Sequence, residues 1–318
     1  VRYFATFAAA LLLLAAATVP ACATGFSSIV VYGDSLSDNG NLYAATGGLA
    51  PAPPYVGGVF SNGPVAVQQL AAQTKTPLLD FAFGGATTGI GNIGDGGTPT
   101  SLGVFNLPGM ETEFAASAGL VPTAAISSSL FVVWGGADDF ESLLNPTVAE
   151  SQTAAQAAAA NIDELVAGLQ LEGATHILVP NLPDLEDTPE FTGDAAAGAF
   201  SSTFDATLAA TLPGGATLFD TNAVFQAILD DPGNYGFSNV DTPCIVAAAN
   251  PACSGYLFFD DIHPTTAADT ILADDFLAAV TPAAVTPEPG SLLLLSTGLA
   301  GMTVLLGRRR LGFGRQGR

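Results

Sequence analysis

Positive charge is what this chain has least of. It carries 7 Lys and Arg against 29 Asp and Glu in 318 residues, a formal net charge of −22. Arg2, Arg308, Arg309, Arg310, Arg315 and Arg318 all lie in the end segments, so Lys75 is the one base between residues 24 and 286. Only Glu288 of the acidic residues falls outside that range, which leaves 28 acids against one base, a net charge of about −27. Such a surface repels phosphate backbones and excludes a nucleic acid as partner. The chain has 2 histidines and 3 cysteines, and no ordered set of metal ligands appears in it. No metal and no cofactor is expected.

Charged residues make up 11% of the chain and hydrophobic residues 49%, enough for a well-filled core. At this length the chain accommodates one sizeable α/β domain plus targeting segments. Arg2 precedes an apolar run over 4–19, and Ala21-Cys22-Ala23 offers a small-residue exit, the order of a secretory signal peptide. The alternative, a membrane-anchoring helix, is disfavoured because the run is short for a span and stops at Pro20. Lipoprotein processing at Cys22 fits poorly with Pro20 two residues before it. The predicted organisation is a signal peptide over 1–23 removed by signal peptidase, a catalytic-type domain over 24–281, and a sorting segment over 282–318. Once Cys22 is removed, Cys244 and Cys253 remain, and a lone pair closing a short loop in an oxidising compartment reads as a disulfide. The alternative, a metal site, lacks further Cys or His nearby.

From Ser27 onward short apolar runs alternate with helix-like stretches, which predicts a three-layer α/β/α sandwich around a five-stranded parallel sheet. The strands are expected at 29–32, 78–83, 130–134, 177–179 and 216–220. Helices are expected at 64–73, 147–171, about 189–212 and 265–280, with a Gly/Thr/Pro-rich loop or lid at 86–108. Residues 232–257 read as a loop held by the two cysteines.

In open parallel sheets functional groups collect at the carboxyl ends of strands. Ser35 follows the first strand directly, in Gly33-Asp34-Ser35-Leu36. A serine hydroxyl needs a base within hydrogen-bond reach and a partner that orients the base. His263, in Asp260-Asp261-Ile262-His263-Pro264, has an Asp three residues before it, able to turn back onto the imidazole, with Asp261 as the rival for that role. His176 lies in the apolar 175–179 strand and reads as a core or strand-edge residue.

Gly33–Asn41 resembles the nucleophile block of the GDSL (SGNH) hydrolases, and Asp260-x-x-His263-Pro264 resembles their final block. Phe81-Ala82-Phe83-Gly84-Gly85-Ala86-Thr87 is similar to the family's glycine block, which implies Gly85, with Gly84 as fallback, for the oxyanion hole beside Ser35. Gly135-Gly136-Ala137-Asp138-Asp139 resembles the block that reads Gly-x-Asn-Asp in the family, and Pro180–Leu185 has the look of the lecithinase- and haemolysin-like bacterial branch. The resemblance implies an exported serine ester hydrolase. Ser35 would attack, His263 would carry the proton and Asp260 would stabilise the imidazolium, on lipid acyl or polysaccharide O-acyl esters. Asp138 departs from the pattern, because an ionised carboxylate accepts hydrogen bonds where the family's amide donates. That departure gives weight to a second reading, a catalytically weak surface or matrix protein that binds a polymer.

Thr286-Pro287-Glu288-Pro289-Gly290, the 17 uncharged residues Ser291–Gly307 and Arg308-Arg309-Arg310 resemble a PEP-CTERM sorting tail. The resemblance implies transient membrane anchoring through 291–307, cleavage by an exosortase-type enzyme, and a cell-envelope or extracellular destination in a Gram-negative-type bacterium; the alternative, an ordinary tail anchor, gives the same topology without processing.

Overall fold

The computed structural model describes residues 25–246 and 252–281. The predicted signal peptide and the whole segment 282–318, with the span expected at 291–307, lie outside the described residues. Five strands form one parallel sheet: β1 (Ile29–Gly33), β2 (Leu78–Asp80), β3 (Leu130–Trp134), β4 (His176–Pro180) and β5 (Thr217–Phe219), in the order β2-β1-β3-β4-β5. The strands at the centre, IVVYG and LFVVW, are buried along their whole length, as a sheet covered on both faces requires.

Their side chains alternate between two cores. Val30, Tyr32, Phe131, Val133, Ile177 and Val179 face α6 (Val148–Glu172) and α7 (Ala195–Thr211). Ile29, Val31, Leu130, Val132, Trp134 and Leu178 face α2 (Ala66–Thr74) and α9 (Thr266–Val280). The remaining helices are short: α1 (Asn41–Ala45), α3 (Met110–Ala116), α4 (Thr123–Ile126), α5 (Ala137–Glu141) and α8 (Thr221–Asp230). Among the described residues no helix is long and apolar enough to cross a membrane.

The element boundaries follow side chains that capture backbone groups. Thr147 and Glu150 form a reciprocal capping box at the start of α6, and Gly173 ends that helix in the left-handed conformation. The helix expected from 189 begins only at Ala195, because Asp194 accepts the Ala196 N–H at 2.8 Å and caps it there. β2 stops at Asp80 rather than residue 83, where the Asp80 carboxylate accepts the Ala82 N–H at 2.9 Å and turns the chain. β5 likewise gives way at Asp220, which caps α8 through the Ala223 N–H at 3.0 Å. Cys244 and Cys253 are joined as a disulfide.

Candidate active site

β1 carries Ser35 to the carboxyl edge of the sheet. A Cβ on Gly33 would lie 2.2 Å from the Trp134 carbonyl oxygen on β3, so glycine allows the two strands to close at that point. The turn after β1 is tight: Asp34 accepts the Leu36 N–H on Oδ1 at 3.0 Å and the Ser37 and Asp38 N–H groups on its main-chain oxygen. Asp38 then accepts the N–H groups of Gly40, Asn41 and Leu42, and across the site that of Gly84 at 2.8 Å. Glu113 on α3 accepts the N–H groups of both Gly33 and Phe83. A chain almost without cations thus uses its buried carboxyl groups as acceptors for loop backbone.

The Ser35 hydroxyl lies 2.7 Å from His263 Nε2, and His263 Nδ1 lies 2.7 Å from Asp260 Oδ2. The imidazole proton then sits on Nδ1, which leaves Nε2 to accept from the serine. Asp260 Oδ1 accepts the N–H groups of Ile262 at 2.9 Å and His263 at 2.6 Å, so the carboxylate and the ring belong to one turn. Burial alone would raise the Asp260 pKa, but the His263 charge and these hydrogen bonds hold it down at about 2. Burial pulls His263 the other way, and the charges of Asp260, Glu141 and Asp34 outweigh that and raise its pKa above the ordinary value. The ring of Phe60 covers His263 at a centroid distance of 5.1 Å. The arrangement can deprotonate a serine hydroxyl and hold the resulting imidazolium.

Gly85 adopts φ 83° in the turn after β2, and Gly84 spends its N–H on Asp38. Among the described residues neither the Ser35 nor the Gly85 N–H donates to a protein acceptor, which leaves both for a substrate oxygen. Asp138 stands in the first turn of α5, 6% exposed, against the same cavity as Ser35 and His263. No hydrogen bond from another described residue reaches its carboxyl group. Burial first, then the charges of Glu141, Asp34 and Asp139, raise its pKa well above the ordinary value and favour the neutral acid. Asp139 instead accepts the N–H and hydroxyl of Thr88 at 2.7 and 2.8 Å and ties the 86–109 loop to α5. His176 sits exposed at the first position of β4, its ring edge-on to Phe26, remote in role from the serine.

Two cavities share Ser35, Asp138, Glu141 and His263 in their linings. An open cleft of about 420 Å³ is bordered by Tyr55, Phe60, Gly84, Gly85, Glu190 and Asp261. A smaller, largely apolar cavity of about 30 Å³ is lined by Trp134, Leu182, Pro183, Leu185 and Phe225. The reading of the sequence did not anticipate Asp34, Tyr55, Phe60, Glu141 or Glu190 at this site. Glu141 gave a signal only once α5 was known, since it stands three residues after Asp138 on one turn of that short helix. Tyr55 and Glu190 had none, because they come from loops far away in sequence.

Fold and site together define an α/β hydrolase for ester bonds. The pattern of the GDSL-like Lipase/Acylhydrolase family matches residues 29–276, and the chain belongs to that family. A PEP-CTERM protein-sorting motif matches residues 285–310 and marks an exported, envelope-directed protein of the Gram-negative kind. The chain is 27% identical to a phosphatidylcholine-sterol acyltransferase of Aeromonas hydrophila, over 83% of this chain and 93% of that one. It is 26% identical to a thermolabile hemolysin of Vibrio parahaemolyticus, over 79% of this chain but 63% of the hemolysin. Among solved structures, a lipase/acylhydrolase from Enterococcus faecalis is 15% identical with a TM-score of 0.41, over 80% of this chain and 98% of that one. An acetylxylan esterase from Geobacillus stearothermophilus is 14% identical with a TM-score of 0.41, over 84% of this chain and all of that one.

Proposed function

We propose that the protein is an exported serine esterase that hydrolyses carboxylic esters through an acyl-enzyme. The observation that carries this reading is the unbroken chain from Ser35 through His263 to Asp260, with both contacts at 2.7 Å. In the first half-reaction Ser35 Oγ attacks the ester carbonyl while His263 Nε2 takes its proton, then returns that proton to the departing alcohol. In the second, His263 takes a proton from water, the hydroxide adds to the acyl carbon, and the serine leaves with the proton restored. Gly85 and Ser35 N–H groups supply two donors to the oxyanion. Asp138, as the neutral acid, supplies the third, which replaces the family's amide without adding a charge.

The substrate is an O-acyl ester of a lipid or a polysaccharide in or outside the cell envelope. The small volume of the apolar cavity at Ser35 favours a short acyl group. The terminal segments are processed, with signal peptidase removing 1–23 and an exosortase-type enzyme acting near Pro287–Pro289. A second reading, a weakly catalytic protein that binds a polymer, draws support from Asp138 and from the sorting tail. Hydrolysis of 4-nitrophenyl acetate and longer homologues separates the two. The esterase gives turnover that falls with acyl length and that Ser35→Ala and His263→Ala each reduce by about 10³-fold or more. Equal rates for wild type and Ser35→Ala would leave the polymer-binding reading.

A further inference from the structure

The Ser35–His263–Asp260 chain does not end at Asp260. Tyr55 donates its hydroxyl hydrogen to Asp260 Oδ2 at 2.7 Å, and Oδ2 is the same oxygen that receives His263 Nδ1–H. Tyr55 comes from the proline-rich stretch between α1 and α2, 205 residues away in sequence, and its ring is fixed edge-on between Phe60 and Phe259. Phe60 in turn covers the imidazole face. The Asp260 carboxylate therefore accepts four donors, two on each oxygen: Tyr55 and His263 Nδ1 on Oδ2, and the Ile262 and His263 N–H groups on Oδ1.

The geometry points to Tyr55 as a positioning residue that sets the proton affinity of His263 by sharing Asp260 Oδ2 with it. A hydroxyl on that oxygen withdraws part of the negative charge that would otherwise face the imidazolium. The ring is then held in place by the hydrogen bond while the attraction that raises its proton affinity is moderated. This matters more here than in a site of mixed charge. Every other ionisable group facing His263 is a carboxyl group: Asp34 in the turn after β1, Asp138 and Glu141 on α5, Glu190 before α7, and Asp261 beside Asp260. No Lys or Arg stands among them to offset their field. Without Tyr55 the imidazole would hold its proton to higher pH, and less of the enzyme would carry a free base. The stretch that borders the open cleft at Ala50, Tyr55 and Phe60 is thereby bonded to the catalytic loop.

The inference rests on the esterase reading for its consequence in turnover, but it can be measured without substrate. The chain has 2 histidines, so NMR titration of the ring resonances, with His176→Gln used to assign them, reads His263 directly. Tyr55→Phe keeps the ring between Phe60 and Phe259 and removes only the hydroxyl. The midpoint of His263 should rise by at least about 0.5 pH in this variant. The acidic limb of kcat/KM should move up with it, and plateau kcat should fall roughly three- to tenfold with KM little changed. In an Asp260→Asn background the same change should alter kcat less than about twofold, because Tyr55 acts through the carboxylate. An unmoved His263 midpoint in Tyr55→Phe, or an equal loss with and without Asp260, would overturn the role. If wild type shows no Ser35-dependent hydrolysis, the esterase reading fails while the NMR midpoint still decides Tyr55.

Discussion

In the mechanism proposed above, Asp138 puts an oxygen where the family's amide has a nitrogen. As a carboxylate it would oppose the developing oxyanion, and as a neutral acid it can donate one hydrogen bond to it. Its burial and its acidic neighbours favour the second state. The pH profile of kcat should then be bell-shaped, rising as His263 loses its proton and falling as Asp138 loses its own. Asp138→Asn should leave the acidic limb where it is and abolish the alkaline one, because the amide donates at every pH. Asp138→Ala removes the donor outright and should cost about 10²–10³-fold in kcat. A wild-type profile with no alkaline limb, matched by full activity in Asp138→Ala, would remove Asp138 from the oxyanion site.

At the scale of elements, the site depends on how closely β1 and β3 approach. Gly33→Ala places a methyl carbon against the Trp134 main chain, which has no flexible end that can move aside. The strands must separate two residues before Ser35. We expect a loss of roughly 1–3 kcal/mol in stability and a drop in kcat at temperatures where the variant is still folded. Gly214→Ala is the control, because nothing lies within 4 Å of its methyl position. Comparing denaturant midpoints and kcat for the two variants checks this, and equal stability of Gly33→Ala and wild type would contradict it. The long helices and central strands were legible beforehand because each carries its own pattern, such as the Thr147-x-x-Glu150 box or the LFVVW run. The short helices α1, α3, α4, α5 and α8 were not. At these lengths a helix is not stable by itself and shows little periodicity, and most of these hold through contacts made elsewhere in the fold.

Across the whole molecule, the shortage of bases turns burial into a dependence on pH. Desolvation pushes Asp34 up to about 6 and Asp139, Glu141 and Asp205 up to about 7. In the unfolded chain such groups titrate near ~3.9 for Asp and ~4.3 for Glu. Their contribution is complete below those values, where both states keep the proton. It is lost as pH rises toward about 7, because the unfolded chain releases protons that the folded one must still hold. Asp260, held down at about 2, works in the opposite sense and its contribution disappears only as pH falls through that value. Repulsion among 28 acids and one base between residues 24 and 286 adds to the loss at neutral pH. The melting temperature should therefore fall from pH 5 to pH 8 and respond to added NaCl more at pH 8 than at pH 5. Scanning calorimetry at both values and two salt concentrations tests this, and a Tm that climbs from pH 5 to pH 8 would refute it.

The sequence by itself determined the order of strands and principal helices, the position of Ser35 after the first strand, and the pairing of Asp260 with His263. These are local matters: a buried run declares its face through its own residues, and an Asp three residues before a His can reach it within one turn. Only the tertiary structure decided which groups surround that pair. Tyr55 reaches Asp260 across 205 residues, Asp38 holds Gly84 across 46, and Glu113 binds Gly33 at the end of β1 together with Phe83 in the turn after β2. Such contacts leave no spacing to read, because their partners become neighbours only when the sheet and its helices have closed around them.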